Sequence, residues 1–503
     1  MSNDKSKDRK KKKHKAPKGI TTDHKLGSGD EKLEYKATAE WIVLTTNEKP
    51  RAEMFHISYI KKDEPSPGRP VTFVFNGGPG ASSAYLHVGA IGPKRVLFNE
   101  EGTPKKPPVK LVDNKESWLA FTDLVFVDPI GTGFSRTIEE PEQSGKPDAA
   151  KKPDEENQEF YKLKRDLESL GEFIQKYLSR NKRWDSPVFI AGESYGGFRV
   201  GKLARLLQEG YGVGLNGAIL ISPALEWALL DPSDYDLLHW TDTFPTMALA
   251  ARHHGRSRVP SETFEELKQK AETFATTDLT SYLVQGARFP QEETRTVLKN
   301  IADFLGLEQD FVDRFDGRVP MQRFCRELLK DTREVCGFYD ATVKAVDPFP
   351  DRDTHQAPDP TLFAIERVFA GGINTQIRQN LKLETDRDYR LLSMDVNSSW
   401  KVDTQTHAFE LQVGATDDLR YAMSLNPYMK VFITHGLYDM VTPYFSSDRL
   451  VDHMKLTGAQ KQNLTVEHYK GGHMFYAWEA SRVAFTDSIK AFYDNSLRET
   501  GSE

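Results

Sequence analysis

The sequence of 503 residues predicts an α/β fold, in which a mostly parallel sheet is flanked by helices and interrupted by a mainly helical cap. One observation is a set of short, almost continuous apolar runs, which are typical of strands buried on both faces of a parallel sheet. These runs cover residues 71–75, 124–127, 188–191, 218–221 and 431–434. The other observation is a spacing of three and four between apolar residues in 160–178 and 200–207, which predicts helices between the strands.

The elements divide the chain into four predicted parts. They are a disordered basic tail (1–34), the first part of the α/β core (35–225), a helical cap insertion (226–426) and the second part of the core (427–497). The core begins with two short apolar runs, 41–44 and 54–57, that predict antiparallel strands. Residues 139–159 are rich in Pro, Glu and Lys, which predicts a surface loop.

Charge and hydropathy restrict the class of protein. The net charge of −6 is spread over a long chain and gives no reason to expect nucleic acid as the main partner. A mean hydropathy of −0.58 and the lack of a long apolar run argue against a membrane span. The lysine-rich run 5–18 could serve as an arm for nucleic acid or a membrane surface, but a solvated tail is the favoured interpretation. The sequence leaves the oligomeric state open.

The cysteines and the first residues indicate a cell compartment. Cys325 and Cys336 are the two cysteines, which excludes a secreted scaffold stapled by many disulfides. One bridge between them and two free buried thiols both remain open. Because the first residues contain no apolar segment of the signal-peptide kind, we expect a cytoplasmic protein. Export to the periplasm or out of the cell by a non-standard route is the alternative.

A candidate nucleophile lies in residues 192–196, Gly-Glu-Ser-Tyr-Gly, which fit the pattern Gly-x-Ser-x-Gly. The pattern follows a predicted strand and precedes a predicted helix. A sharp strand-to-helix turn of this kind raises the serine hydroxyl above the edge of the sheet, and the flanking glycines relieve crowding. We therefore predict Ser194 as the nucleophile. A tight turn with a helix-capping serine is the alternative.

A serine hydroxyl needs a base to take its proton and an acid to orient that base. After a serine in such a turn, the acid comes next in the chain and the histidine last. Asp439 follows a late strand, and His473 comes directly after two glycines beyond the next strand. The predicted triad is therefore Ser194, Asp439 and His473. His435, before the turn, and His468, within the strand, are competing candidates that we interpret as structural.

Acyl transfer also needs N–H donors for the negatively charged oxygen of its intermediate. We expect one from the backbone of Tyr195 and one from Gly78, in the glycine-rich loop 76–80 after an early strand. Phosphate binding is the rival interpretation, but the loop lacks a Gly-Lys-Ser/Thr ending. No Cys/His cluster has zinc-ligand spacing, and histidines 253–254 are interpreted as surface residues. We therefore expect neither a cofactor nor a metal.

Five segments together resemble the serine carboxypeptidase family of α/β-hydrolases. In the family's order they are NGGPGASS at 76–83, GP at 92–93, VDPIGTGFS at 127–135, GESYGG at 192–197 and GHM at 472–474. The resemblance implies an α/β-hydrolase fold and a serine-type peptidase that cleaves a peptide substrate near its C-terminus through an acyl-enzyme on Ser194. Its low cysteine content makes the chain look like a bacterial member.

The resemblance also implies a site that holds the substrate carboxylate, here Asn76 and Glu193. In the family that glutamate pairs with a second one, and two carboxyl groups in contact share a proton because both cannot ionise cheaply. Ala90 stands at the second position, and Phe475-Tyr476 stand where the family has a proline. These departures leave acyl transfer intact but keep an esterase or acyltransferase with the same triad as the alternative. A non-catalytic binding protein is a further one.

Overall fold

A mixed β-sheet forms the centre of the computed structural model, which describes residues 14–27, 32–62, 68–138, 157–230, 233–352, 359–403 and 413–498. The strands of these residues are, in chain order, β1 Ile20–Leu26, β2 Leu33–Thr46, β3 Lys49–Lys61, β4 Val71–Phe75, β5 Lys94–Val96, β6 Leu111–Asp113, β7 Asp123–Val127, β8 Arg136–Thr137, β9 Val188–Glu193, β10 Gly217–Ile221, β11 Glu334–Cys336, β12 Lys344–Val346, β13 Lys430–Gly436 and β14 Leu464–Tyr469.

Within the described residues, ten strands form one sheet in the order β1-β2-β3-β7-β4-β9-β10-β13-β14, with β8 beside β3. The strands from β1 to β7 in this order pair antiparallel, and those from β7 to β14 pair parallel. Every side chain of β4, β7, β9 and β10 is buried, because helices cover both faces of the parallel part. The predicted α/β fold, including its buried strands, is confirmed.

Helices lie on both faces of this sheet and in the insertion. The α-helices of the described residues are α1 Ala84–Leu86, α2 Leu163–Arg180, α3 Tyr195–Tyr211, α4 Leu237–His253, α5 Phe264–Phe274, α6 Thr280–Gln285, α7 Gln291–Leu305, α8 Gln309–Asp313, α9 Met321–Glu327, α10 Leu362–Asn374, α11 Met394–Ser399, α12 Thr416–Leu425, α13 Tyr444–His453, α14 Gly458–Lys461 and α15 Glu479–Leu497. One apolar cluster joins α2, α3 and α12 to the sheet, and a second joins α10 and α15 to it.

The predicted insertion 226–426 contains helices of two kinds. Helices α4 to α9 pack around a third apolar cluster of their own, which reaches the core through residues on both sides of Asp439, such as Tyr438 and Met440. In contrast, α10 and α12 belong to the two clusters of the sheet. The boundaries of the insertion stay a prediction, but its last helices pack as part of the core rather than with the other cap helices.

The predicted tail 1–34 is too long, because β1 forms a strand within it. Strand β1 pairs antiparallel with β2, from Ile20 opposite Ala39 to Leu26 opposite Leu33. Half-buried and exposed side chains alternate along β1. An edge strand of this kind needs few apolar residues, so the sequence of β1 resembles that of a polar tail. Residues 1–13, with most of the lysine-rich run, lie outside the described residues.

Three smaller predictions concern the thiols, a loop and the membrane. Cys325 and Cys336 are both buried free thiols, which decides between the two alternatives. Most of the predicted loop 139–159 lies outside the described residues, and its last residues belong to the short 3-10 helix Asn157–Tyr161. In the part of the chain that the structure describes, no helix combines the length and the apolar character needed to cross a membrane.

Candidate active site

A tight turn at Ser194 joins β9 to α3. Ser194 has φ of 62° and ψ of −125°, a strained conformation for a residue other than glycine. A Cβ at Gly192 would lie 2.2 Å from the carbonyl oxygen of Gly196, and one at Gly196 would lie 2.7 Å from that of Phe75. At both positions the backbone of a neighbouring segment comes so close that only glycine fits. The Ser194 N–H donates to the carbonyl of Ile221 at 2.9 Å, which fixes the turn to the next strand.

Asp439 and His473 meet beyond the carboxyl ends of β13 and β14. Nδ1 of His473 lies 2.7 Å from Oδ2 of Asp439, and both side chains are buried. Oδ1 of Asp439 accepts the N–H groups of Val441 and Thr442 at 2.8 and 3.1 Å. The Thr442 hydroxyl also donates to Oδ2 of Asp439 at 2.7 Å. This carboxylate is held from both sides, and Thr442 is a contributor that no sequence motif predicted.

The charges of two acidic side chains, Asp439 and Glu193, act on His473. Burial alone would lower the pKa of His473, but the charge and hydrogen bond of Asp439, together with the charge of Glu193, outweigh burial and raise it. A raised pKa makes the imidazole a stronger base. His473 is thereby suited to take a proton from a hydroxyl, provided the pH is high enough for the ring to begin neutral.

The competing histidines have other partners. The ring nitrogens of His435 lie 2.9 Å from the carbonyl of Thr442 and 2.7 Å from the hydroxyl of Ser447. Burial also lowers the pKa of His435 to about 3. Nε2 of His468 lies 2.8 Å from Oδ1 of Asp448. Each ring thus contacts a side chain of helix α13, Ser447 or Asp448, in agreement with a structural role.

The histidine pair 253–254 also has neighbours of an ordinary kind. Nε2 of His254 lies 2.7 Å from the carbonyl of Ala341, and the two imidazole rings meet edge to face. Over the residues that the structure describes, no group of three or more His, Cys, Asp or Glu side chains is arranged to hold a metal ion.

The glycine-rich loop after β4 lies directly against the turn at Ser194. A Cβ at Gly77 would lie 2.5 Å from the backbone nitrogen of Tyr195, so the two backbone segments touch. Gly78 has φ of 98°, a conformation that favours glycine. The predicted oxyanion donors Gly78 and Tyr195 thus belong to adjoining segments next to the nucleophile. Their catalytic role stays a prediction.

A buried arginine connects this loop to two helices. Nη1 of Arg199, on α3, donates to the carbonyl of Asn76 at 2.7 Å. Nε and Nη2 of Arg199 donate to the two oxygens of Asp166, on α2, at 2.8 and 3.0 Å. Such a bidentate pair fixes geometry as well as charge. Arg199 therefore sets the position of the loop relative to the nucleophile, a role that no sequence pattern predicted.

The last residue of β9, Glu193, is a buried carboxyl group with several polar partners. Nδ2 of Asn76 donates to Oε2 of Glu193, so the two predicted carboxylate-binding residues are in contact. The Tyr476 hydroxyl lies 3.0 and 2.9 Å from the two carboxyl oxygens. Burial raises the pKa of Glu193 to about 7, although the charge of His473 and the hydrogen bonds from Tyr476 and Asn76 act in the opposite direction. Glu193 therefore changes its charge near neutral pH.

Known proteins are similar to this chain in sequence. A model of the serine carboxypeptidase family matches residues 30–487. The chain belongs to the serine carboxypeptidase family. Serine carboxypeptidase-like 46 of Arabidopsis thaliana is 30% identical over 228 residues, which are 44% of this chain and 43% of that protein. The pheromone-processing carboxypeptidase KEX1 of Yarrowia lipolytica is 26% identical over 212 residues, 38% of this chain and 30% of that protein. The alignments thus span less than half the length of these relatives.

A solved structure extends the likeness to the fold. The crystal structure of KEX1(Δ)p, a prohormone-processing carboxypeptidase from Saccharomyces cerevisiae, covers 92% of this chain and 92% of its own, with a TM-score of 0.53. The identity is 16%, so this likeness shows the fold alone. That fold is the α/β-hydrolase fold.

Two departures from the serine carboxypeptidase pattern, Ala90 and Tyr476, lie on segments that pack together. Ala90, at the position of the second glutamate, is buried on the helical segment His87–Ile91. A Cβ at Gly89, one residue earlier, would lie 2.8 Å from Cε2 of Tyr476. The Tyr476 ring therefore packs beside this segment, while its hydroxyl reaches Glu193. Each departure is visible in the sequence, but only the structure shows that their two segments pack together.

Proposed function

We propose that the protein is a serine-type carboxypeptidase that hydrolyses peptide bonds near the C-terminus through an acyl-enzyme on Ser194. The observation that carries the proposal is that Glu193, in contact with Asn76, directly precedes the nucleophile. A carboxyl group in this place is suited to bind the terminal carboxylate of a peptide while the next residue attacks a carbonyl. Membership of the serine carboxypeptidase family supports the same activity.

The proposed chemistry is two acyl transfers. The Ser194 oxygen attacks the carbonyl carbon, and His473 takes the hydroxyl proton and gives it to the leaving amine as the C–N bond breaks. Asp439 holds the imidazole in position and stabilises its protonated form. The N–H groups of Gly78 and Tyr195 donate to the oxyanion. Water then attacks the acyl-enzyme with His473 again as the base, which releases the shortened peptide and restores the serine hydroxyl.

The proposed specificity depends on the protonation of Glu193. A protonated carboxyl group can donate a hydrogen bond to the substrate carboxylate, whereas an ionised one repels it. Since burial raises the pKa of Glu193 to about 7, the protonated form persists to higher pH than it does for an exposed glutamate. Nδ2 of Asn76 supplies a second donor in either charge state.

The test compares three substrates that share an N-blocked acyl residue: a dipeptide with a free C-terminal carboxylate, its C-terminal amide, and the corresponding simple ester. We expect the highest kcat/KM for the free acid at pH 6 to 7. Ser194→Ala should lower kcat for each of them by a factor on the order of 10⁶. Equal kcat/KM for acid and amide, or turnover by the Ser194→Ala variant, would contradict the proposal.

An esterase or acyltransferase with the same triad is the second candidate, and Ala90 is the residue that favours it. Turnover of the ester without preference for a free carboxylate would favour this candidate over the carboxypeptidase. Covalent labelling of Ser194 by a fluorophosphonate separates either enzyme from a non-catalytic binding protein, which has no activated serine and stays unlabelled.

We also propose a bacterial source and a cytoplasmic location. The low cysteine content is the observation behind the proposed source. Two buried free thiols suit a reducing compartment and support the proposed location. Fractionation of the native host, with detection of the full-length protein in the cytoplasm or outside it, tests the location.

A further inference from the structure

The Tyr476 hydroxyl lies within hydrogen-bond distance of both carboxyl oxygens of Glu193. It lies 3.0 Å from one carboxyl oxygen and 2.9 Å from the other, and both side chains are buried. A phenol that bridges the two oxygens fixes the rotation of the carboxyl group as well as its position. Glu193 and Tyr476 are 283 residues apart in the chain, so this contact depends on the folded molecule and not on a local turn.

The phenol reaches Glu193 from the side of the segment in which the family has its second glutamate. The Tyr476 ring packs against Gly89, whose Cβ, if present, would lie 2.8 Å from the ring. A larger residue than glycine at 89 would therefore displace the tyrosine. Glycine at position 89 leaves space for an aromatic ring beside this segment.

A phenol and a carboxyl group differ in how they hold a neighbouring glutamate. Two carboxyl groups in contact need a shared proton, and the contact becomes repulsive once both ionise. A phenol brings its own proton, and burial together with the charge of Glu193 raises the pKa of Tyr476 far above the ordinary range. Tyr476 therefore remains a donor through the pH range in which Glu193 titrates, and within this pair the protonation of Glu193 decides whether the substrate carboxylate is bound.

We propose that Tyr476 is a positioning residue for carboxylate recognition, which takes the place of the missing second glutamate by holding the Glu193 carboxyl group in the orientation that binds the substrate C-terminus. This inference rests on the proposed function, since it concerns the same site. It predicts that recognition is lost through a single ionisation as the pH rises, rather than through the breakdown of a proton-sharing pair.

The surroundings of Glu193 leave few other groups that could produce such a pH dependence. Among the described residues, the titratable side chains that couple electrostatically to Glu193 include His473, Asp439, Tyr476, Tyr85 and Tyr339. Burial raises the pKa of each of the three tyrosines, that of Tyr339 to about 12, so they stay neutral through the relevant pH range. His473 titrates with the acid limb of activity, which free-acid and amide substrates share.

The variant Tyr476→Phe removes the hydroxyl and keeps the ring. We expect the preference for the free acid over its amide, measured as the ratio of kcat/KM values at pH 6, to fall by about tenfold, because a hydrogen bond to an ionisable group is lost. The pH at which KM for the free acid begins to rise should move upward, since a donor that favours the ionised carboxylate has gone.

Tyr469→Phe is the matched control. The Tyr469 hydroxyl also donates to a carboxylate, that of Glu467, at 2.8 Å, and its ring stacks on Phe475, next to Tyr476. We expect this variant to keep the acid-to-amide ratio and the pH profile of the unmodified enzyme. An equal loss in both variants, or a loss in Tyr476→Phe that is the same for acid and amide, would mean that Tyr476 has a structural role only.

Calorimetry provides a readout that needs no turnover. In the Ser194→Ala background, binding of the free-acid dipeptide at pH 8 should take up about one proton from the buffer, because Glu193 must be protonated to donate a hydrogen bond to the substrate carboxylate. With Tyr476→Phe added, this uptake at pH 8 should fall, since more of Glu193 is already protonated. Unchanged uptake would overturn the inference. An unmodified enzyme that does not prefer the free acid would contradict the proposed function and the inference with it.

Discussion

The two halves of the site are built in different ways. In the acyl-transfer half, Asp439 receives hydrogen bonds from Val441 and Thr442, which lie in the same turn. In the carboxylate half, Glu193 depends on side chains that lie 117 and 283 residues away. A group held by its own turn keeps its geometry wherever that turn forms. A group held by distant segments depends on the whole fold and can change partners when one residue changes.

The largest expected effect concerns the acyl-transfer half. Asp439→Asn should lower kcat by a factor on the order of 10⁴ for free-acid, amide and ester substrates alike, because an amide no longer holds the imidazole in the tautomer that accepts the serine proton. The measurement is kcat for all three at pH 7. A loss of kcat for the free acid alone would contradict the assignment of Asp439 to a half of the site that acts on all three substrates.

A smaller effect comes from pH and affects the carboxylate half alone. Glu193 is protonated below a pKa of about 7 and ionised above it, so KM for the free acid should rise by about tenfold per pH unit above that value. The ester carries no carboxylate to repel, and its KM should stay level. Initial rates from pH 5 to 9 provide both profiles. An ester profile with the same alkaline rise would assign that rise to another group.

Both substrates should share the acid limb of this profile. Asp439 and Glu193 outweigh burial and raise the pKa of His473, so the neutral base is lost at a higher pH than for an ordinary histidine. The free acid should consequently show a narrow window of activity, and the ester a plateau that extends to higher pH. The difference between the two curves on the alkaline side measures the contribution of Glu193.

The smallest effect should come from Thr442→Val, which removes the hydroxyl that donates to Oδ2 of Asp439 and leaves a side chain of similar shape. We expect kcat to fall by about tenfold for acid and ester equally, since one hydrogen bond to a charged group is lost. Thr457→Val, at an exposed helix N-cap, is the control for the substitution itself. A change in the acid-to-ester ratio would show that the two halves are coupled.

The sequence predicts the acyl-transfer half because its signals are local. The strand before Ser194, the glycines around it and the turn that carries Asp439 each span a few residues, and their order along the chain supplies the rest. Tyr476 could not be predicted in the same way. Its role depends on packing against Gly89 and on reaching Glu193, and neither distance is encoded in a short pattern.

The same distinction applies to the fold. The apolar runs of the parallel strands predict β4, β7, β9, β10 and β13 to within about two residues, because burial on both faces requires such runs. The polar strand β1 escapes prediction, since it is stabilised by backbone pairing at the edge of the sheet. The packing of α12 on the core is also invisible in the sequence, because its apolar stripe would suit either surface.

The adjacency of Glu193 and Ser194 acts as a molecular ruler. Their Cα atoms are separated by one peptide unit, about 3.8 Å, a distance that no movement of the cap can alter. Under the proposed function, Glu193 binds the C-terminal carboxylate of the substrate while Ser194 attacks the carbonyl carbon of the bond that is cleaved. The length of the released fragment is then set by the distance from Ser194 to the Glu193 carboxyl group, which Asn76 and Tyr476 hold in place, and substrates of any total length are trimmed by the same increment.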